Sequence, residues 1–221
     1  MATLQQTVSD IKSLKIQGSQ TVAETALKAW ALAKDKKLAS KLLRDARPTE
    51  PMLFRAIRAV ETGADPLRLV GKLRKDRQAI AKIGAGLIKN DAIIFTHCHS
   101  STVLEILKEA KAQGKRFEVH NTETRPMFQG RITATELAKA GIKVCHYVDS
   151  AAIDAMKQAL RFRIGAGRIS RKGGANKIGT KMFAEDAHER KIPVYCCSHS
   201  WKFSSGNIQI EQRPAKEVWP N

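Results

Sequence analysis

The stretch Ala92-Ile93-Ile94-Phe95-Thr96-His97-Cys98-His99-Ser100-Ser101-Thr102-Val103 decides the fold. An apolar run stops abruptly at a polar cluster. A helical pattern follows, with Val103, Leu104, Ile106 and Leu107 on one broad face. The order is strand, loop, helix N-terminus. The first turn of a helix carries unpaired backbone N–H groups and a partial positive charge, which together suit a phosphate. Ser100, Ser101 and Thr102 add hydroxyls there. Cys98 stands one step before that cradle, within reach of a phosphosugar bound in it.

Downstream, the same grammar repeats. Strand-like runs fall at 92–96, 117–122, 143–148, 161–165 and 193–197, and helix-like runs at 102–113, 133–140, 151–159 and 177–190. Gly114 and Gly141 close two of the helices. Alternating strands and helices with short links predict a parallel, doubly wound sheet, with ligands bound beyond the carboxyl ends of its strands. Those ends deliver His97-Cys98-His99-Ser100, Glu123-Thr124-Arg125-Pro126 with Gln129-Gly130-Arg131, Asp149-Ser150, Gly165-Ala166-Gly167-Arg168 with Asn176-Lys177, and Ser198 to Lys202.

Upstream, residues 1–90 read as helix throughout. Leu4, Val8 and Ile11 follow a helical period, and Gln17-Gly18-Ser19-Gln20 breaks it. Further helices carry Val22, Ala26, Leu27 and Trp30, then Leu38, Leu42 and Leu43 as far as Arg47-Pro48. Thr49-Glu50-Pro51 starts the next, which ends at Gly63, and Asp65-Pro66 starts a long last helix. The expected architecture is an N-terminal helical bundle over 1–90 followed by a Rossmann-like α/β domain over 91–221. No internal repeat or low-complexity segment interrupts it.

Composition narrows the function. The 221 residues are 43% hydrophobic, enough for a substantial core, and carry a net charge of +18. Such a charge predicts anionic partners, whether a phosphorylated sugar or nucleotide, RNA, or the acidic face of a protein. Aromatic residues are only 5% of the chain, which argues against a stacking platform for single strands. No run reaches the length of a membrane span and no signal-peptide core opens the chain, so the expected location is the cytoplasm. The four cysteines include the neighbours Cys196 and Cys197 and form no CxxC motif, as expected of reduced thiols. His97, Cys98, His99 and His199 lack zinc-site spacing, so no metal is expected. Gly165-Ala166-Gly167-Arg168 imitates a dinucleotide loop, but Arg171-Lys172-Gly173-Gly174 intervenes where the helix belongs, so no dinucleotide cofactor is expected.

Several motifs, in this order, resemble the initiation-factor-2B family. That family includes ribose-1,5-bisphosphate isomerase, methylthioribose-1-phosphate isomerase and the alpha, beta and delta regulatory subunits of translation initiation factor 2B. Thr96-His97-Cys98 with Ser100 resembles the isomerases' catalytic-cysteine loop. Glu123-Thr124-Arg125-Pro126 with Gln129-Gly130, Val148-Asp149-Ser150-Ala151-Ala152 and Asn176-Lys177-Ile178-Gly179-Thr180 resemble further signatures. So do Arg47-Pro48-Thr49, Trp201-Lys202-Phe203, and Glu211, Arg213 and Glu217-Val218-Trp219. The resemblance covers nearly the whole chain. It implies a homo-oligomer, dimer or higher; the family continues with another strand and helix, which help build its dimer, where this sequence stops at Asn221.

The resemblance implies Cys98 as the catalytic acid/base group. It implies Gly18, Arg47, Ser100, Ser101, Thr102, Arg125, Gln129, Asn176, Lys177 and Lys202 as substrate contacts. Two positions depart from it. The isomerases end their fourth strand with Gly-Ala-Asp, whose Asp partners the cysteine, and this chain has Gly165-Ala166-Gly167. A family Arg-Gly-Ala is here Gln17-Gly18-Ser19. Asp149 and Glu123 are the candidates to supply the missing carboxylate. A thiol beside a helix N-terminus is expected to have a lowered pKa. The leading expectation is an aldose–ketose isomerase acting on ribose-1,5-bisphosphate. The second is a non-catalytic regulatory subunit in translation initiation that binds a nucleotide or sugar phosphate.

Overall fold

The computed structural model describes residues 3–205 and 214–218. Of the family-like C-terminal residues, Glu211, Arg213 and Trp219 lie outside that set. The chain divides into two compact units: Met1–Arg77 with Gly167–Ala175 and His199–Ile210, and Gln78–Ala166 with Asn176–Ser198 and Glu211–Asn221. This division falls inside a helix, between Arg77 and Gln78. Two later segments join the helical unit.

The first unit is built from α1 (Leu4–Lys12), α2 (Ser19–Leu32), α3 (Lys36–Ala46), α4 (Pro51–Glu61) and the first turns of α5 (Pro66–Gly86). Local chemistry sets the starts. Thr3 and Asp35 accept the backbone N–H of Gln6 and Leu38, and Pro51 occupies the first turn of α4. Ile11, Leu27, Leu43, Met52, Leu53 and Ile57 are fully buried. Truncating any one of them to Ala costs about 2–5 kcal/mol.

The second unit holds a five-stranded parallel sheet in the order β3-β2-β1-β4-β7. Its strands are β1 (Ala92–Thr96), β2 (Phe117–Thr122), β3 (Lys143–Tyr147), β4 (Arg161–Ile164) and β7 (Val194–Cys196). The helices are α6 (Ser101–Ala112), α7 (Gln129–Lys139), α8 (Ala152–Met156) and α9 (Thr180–Glu189). One face packs Ile94, Val103, Leu107 and Val119 together, and the other packs Phe95, Phe162, Met156 and Phe183. The strand order reverses between β1 and β4, so the crevice of a doubly wound sheet lies beyond those two strand ends.

Three sequence expectations change in detail. The glycine-rich segment after β4, read as a loop, forms an antiparallel hairpin of β5 (Arg168–Ser170) and β6 (Gly173–Ala175) within the first unit. Helix α9 starts at Thr180, not at Lys177. Gly179 takes a left-handed conformation, φ 89°, at the N-cap and leaves Asn176 and Lys177 in the turn before it. Helix α7 starts at Gln129, four residues early, because Phe128 is left-handed and turns the chain directly into the helix. Among the described residues, no helix is long and apolar enough to cross a membrane.

Candidate functional site

In the sheet unit the site is assembled by the loop after β1. Ser100 caps α6 by accepting the Val103 N–H, so its hydroxyl oxygen is engaged in the fold. Gly165, at the end of β4, approaches so closely that a Cβ there would lie 2.5 Å from Ser100 Oγ. Glycine at 165 is what lets the two central strand ends meet. Gly130 does the same for β2: a Cβ there would lie 1.7 Å from the Thr122 carbonyl oxygen. Thr102 is buried, and Ser100 and Ser101 are partly exposed.

Cys98 is left-handed, φ 71°, and is held at both backbone ends. Its N–H donates to Thr124 Oγ1 at 2.9 Å, and its carbonyl accepts the Thr133 hydroxyl at 3.1 Å. Thr124 is itself left-handed, φ 65°, and fully buried. Its N–H and that of Arg125 donate to the two carboxylate oxygens of Asp149, at 2.9 and 2.7 Å.

This frame corrects the expected acidity of the thiol. Burial pushes the Cys98 pKa up. The Lys177 ammonium and the His99 backbone N–H pull it down, and the Asp149 carboxylate adds to the rise. The net shift is upward, because desolvation outweighs the Lys177 ammonium and the His99 N–H.

The flanking histidines have defined roles. His97 is 2% exposed, and its Nε2 lies 2.9 Å from the Ile178 carbonyl, which can only accept. The proton therefore sits on Nε2, and Nδ1 accepts the Thr122 hydroxyl at 2.6 Å. Burial lowers the His97 pKa, partly offset by the Ile178 hydrogen bond and by Asp149, whose carboxylate lies 4.0 Å from Nδ1. Thr133 spends its proton on Cys98, so its oxygen accepts from His99 Nδ1 at 3.0 Å. Burial lowers the His99 pKa as well.

The structure thus brings Cys98, Ser100, Asp149 and Lys177 into one neighbourhood, with His97 tying the 176–180 turn to the β1 loop. Asn176 Nδ2 donates to Thr180 Oγ1 at 3.2 Å. Gln129 opens α7 with a buried Oε1 that has no hydrogen-bond partner among the described residues. Arg125 is exposed; its guanidinium lies over the Phe128 ring and donates to the Val218 carbonyl. Glu123, the other candidate carboxylate, pairs instead with Arg131 at 2.8 Å, beside a surface depression of about 410 Å³ whose lining does not include Cys98.

The helical unit has its own polar cluster. Gly18, φ 84°, caps α2. Buried Glu50 is pushed up in pKa by desolvation, against Lys202, the Ser19 hydroxyl and Arg47, which pull it down. Lys202 is 8% exposed and is placed by a short 3-10 turn, Ser200–Lys202. His199 anchors that turn: Nδ1 accepts the Trp201 N–H, and Nε2 donates to Asp76 at 3.0 Å. Gly18, Arg47 and Lys202, chosen separately from the sequence, fall in this one unit. Glu50 was not foreseen; it was read only as part of a helix start. Thr124 entered only as part of the Glu123–Pro126 motif, and Thr122 and Thr133 were missed, with no signal beyond their places at the end of β2 and in α7.

Residues 67–221 match the initiation factor 2 subunit family. The ribose 1,5-bisphosphate isomerase of Pyrococcus furiosus is 36% identical over 95% of this chain and 71% of its own length. The methylthioribose-1-phosphate isomerase of Yersinia pestis is 32% identical over 96% of this chain and 71% of its own. The crystal structure of Pyrococcus horikoshii translation initiation factor eIF-2B superposes with a TM-score of 0.84, at 28% identity, over 95% of this chain and 84% of that one.

Proposed function

We propose that this chain, which belongs to the initiation factor 2 subunit family, binds a phosphorylated sugar and interconverts its aldose and ketose forms, with ribose-1,5-bisphosphate the leading substrate. The observation that carries the reading is the setting of Cys98: a largely buried thiol acted on by the Lys177 ammonium and the Asp149 carboxylate. Ring opening places a proton on the ring oxygen, and carbonyl formation removes one from the C2 hydroxyl. The hydrogen on C2 moves to C1 within the sugar. A thiol held protonated by burial supplies the first proton, and a carboxylate takes the second. Asp149 is the carboxylate at hand where the isomerases have an aspartate at the position of Gly167. Ser101, Thr102, Asn176 and Lys177 hold one phosphate. Arg125 and Gln129 shape the loop beside it. The active species is an oligomer of this chain, and its location is the cytoplasm.

The test is turnover of ribose-1,5-bisphosphate by purified protein. Turnover that is lost in Cys98→Ser supports the reading. Absence of turnover, or turnover indifferent to Cys98→Ser, overturns it. One observation favours a second reading, a non-catalytic regulatory subunit acting in translation initiation: glycine at 167 removes the carboxylate the isomerases carry. On that reading a nucleoside monophosphate, and no bisphosphorylated sugar, raises the melting temperature.

A further inference from the structure

On the sheet face that carries α8, three side chains unrelated to the Cys98 loop converge. We propose that Glu118, His120 and Cys145 form a binding site for a divalent transition-metal ion, zinc by donor chemistry. The sheet register creates the site. His120 on β2 lies directly opposite Cys145 on β3, and Glu118 precedes His120 by two residues, so all three point to one face. Their donor atoms lie within 4.8 Å of one another. Glu118 Oε1 is 2.9 Å from Cys145 Sγ and 3.0 Å from His120 Nε2.

The orientation of His120 is the independent observation. Its Nδ1 lies 2.8 Å from the Ala155 carbonyl, which accepts only, so Nδ1 carries the proton. In the neutral ring Nε2 then turns its lone pair toward Glu118 Oε1. A lone pair facing a carboxylate oxygen needs a cation, whether proton or metal, between them. Holding the distal ring nitrogen on a backbone carbonyl is how metal-binding imidazoles are usually aimed. Lys143 Nζ occupies the other carboxylate oxygen at 2.6 Å, leaving Oε1 as a single donor.

A tetrahedral zinc would set N···O and S···O at about 3.4 and about 3.6 Å, so the site opens by less than about 1 Å on loading. One nitrogen, one oxygen and one sulfur suit zinc or cobalt and not magnesium or calcium. Three protein donors leave a fourth position for water. Strand β3 lies at the edge of the sheet, so a bound ion ties that edge to β2.

The experiment uses the full chain, stripped with a chelator and titrated with Co²⁺ alone. One equivalent is expected to give a near-ultraviolet thiolate-to-cobalt absorption that Zn²⁺ displaces. Cys145→Ser should abolish the band and weaken binding by at least about 100-fold, while Cys98→Ser retains both. His120→Asn is the second variant, read for affinity on protein shown folded by circular dichroism. Absence of a stoichiometric band overturns the proposal. So does a band that survives Cys145→Ser, one lost in Cys98→Ser, or unchanged affinity in His120→Asn. None of these outcomes depends on isomerase activity, so this proposal and the sugar-phosphate reading fail separately.

Discussion

Asp149→Asn tests the site's construction most directly. The carboxylate accepts two backbone N–H groups, from Thr124 at 2.9 Å and Arg125 at 2.7 Å, and its side chain is 28% exposed. An asparagine keeps one acceptor oxygen and turns its NH2 toward the other N–H. One charge-assisted bond becomes neutral, at a cost of about 1 kcal/mol, and the other is replaced by a donor facing a donor, at about 1.5–3 kcal/mol. The expected destabilisation is therefore about 2.5–4 kcal/mol, or roughly 5–15 °C in melting temperature for a chain of this size. Urea denaturation measures it, with Asp154→Asn as the reference. Asp154 is exposed and pairs with the exposed Lys157, so that change should stay within about 0.5 kcal/mol. The same variant makes a second, signed prediction. The Asp149 charge raises the Cys98 pKa, so its removal moves alkylation of Cys98 to lower pH. A stability change like that of Asp154→Asn would refute the reasoning. An alkylation profile that stays in place or moves upward would refute it equally.

Lys177→Met should move the Cys98 alkylation profile the opposite way, to higher pH, because the ammonium lowers that pKa; the profile is read by iodoacetamide labelling and mass spectrometry. His97 has a folded pKa below the 6.5 of a free imidazole, so on descending below about 6.5 the unfolded chain takes up a proton the fold resists. Its contribution is intact above that pH and declines below it. Glu50, with its raised pKa, works in the opposite sense, so the measured quantity is the difference between wild type and His97→Gln in urea midpoints at pH 7.5 and 5.5. Gly130→Ala forces a Cβ into the Thr122 carbonyl and should destabilise by about 3 kcal/mol or more in the same denaturation assay. Gly167→Asp, where the nearest atom to a Cβ is 3.7 Å away, should fold normally and raise turnover of ribose-1,5-bisphosphate.

The parallel sheet was legible because buried parallel strands read as short apolar runs that stop at polar rims. Ala92–Phe95 does so, with Gly114 and Gly141 marking the intervening helix ends. The β5–β6 hairpin was not legible. Arg168-Ile169-Ser170 and Gly173-Gly174-Ala175 have neither alternation nor an apolar run, and the pairing belongs to the first unit rather than the sheet. The position of Cys98 could be read, but its acidity could not. Helix N-termini show in sequence, whereas the burial that raises the thiol's pKa is a product of tertiary packing. Asp149 was a candidate only by its place after β3. What singles it out over Glu123 is the left-handed turn at Thr124, which aims two N–H groups at one carboxylate and leaves the other to Arg131.

The path of the chain has a practical corollary. Among the described residues, peptide bonds join the two units at Arg77–Gln78, Ala166–Gly167, Ala175–Asn176 and Ser198–His199. A single protease nick within α5 would leave both halves tethered, so it should not release a free bundle. Expressing the first 90 residues alone would strip that bundle of the β5–β6 ribbon and of Lys202, and the peptide left behind would report on a different molecule.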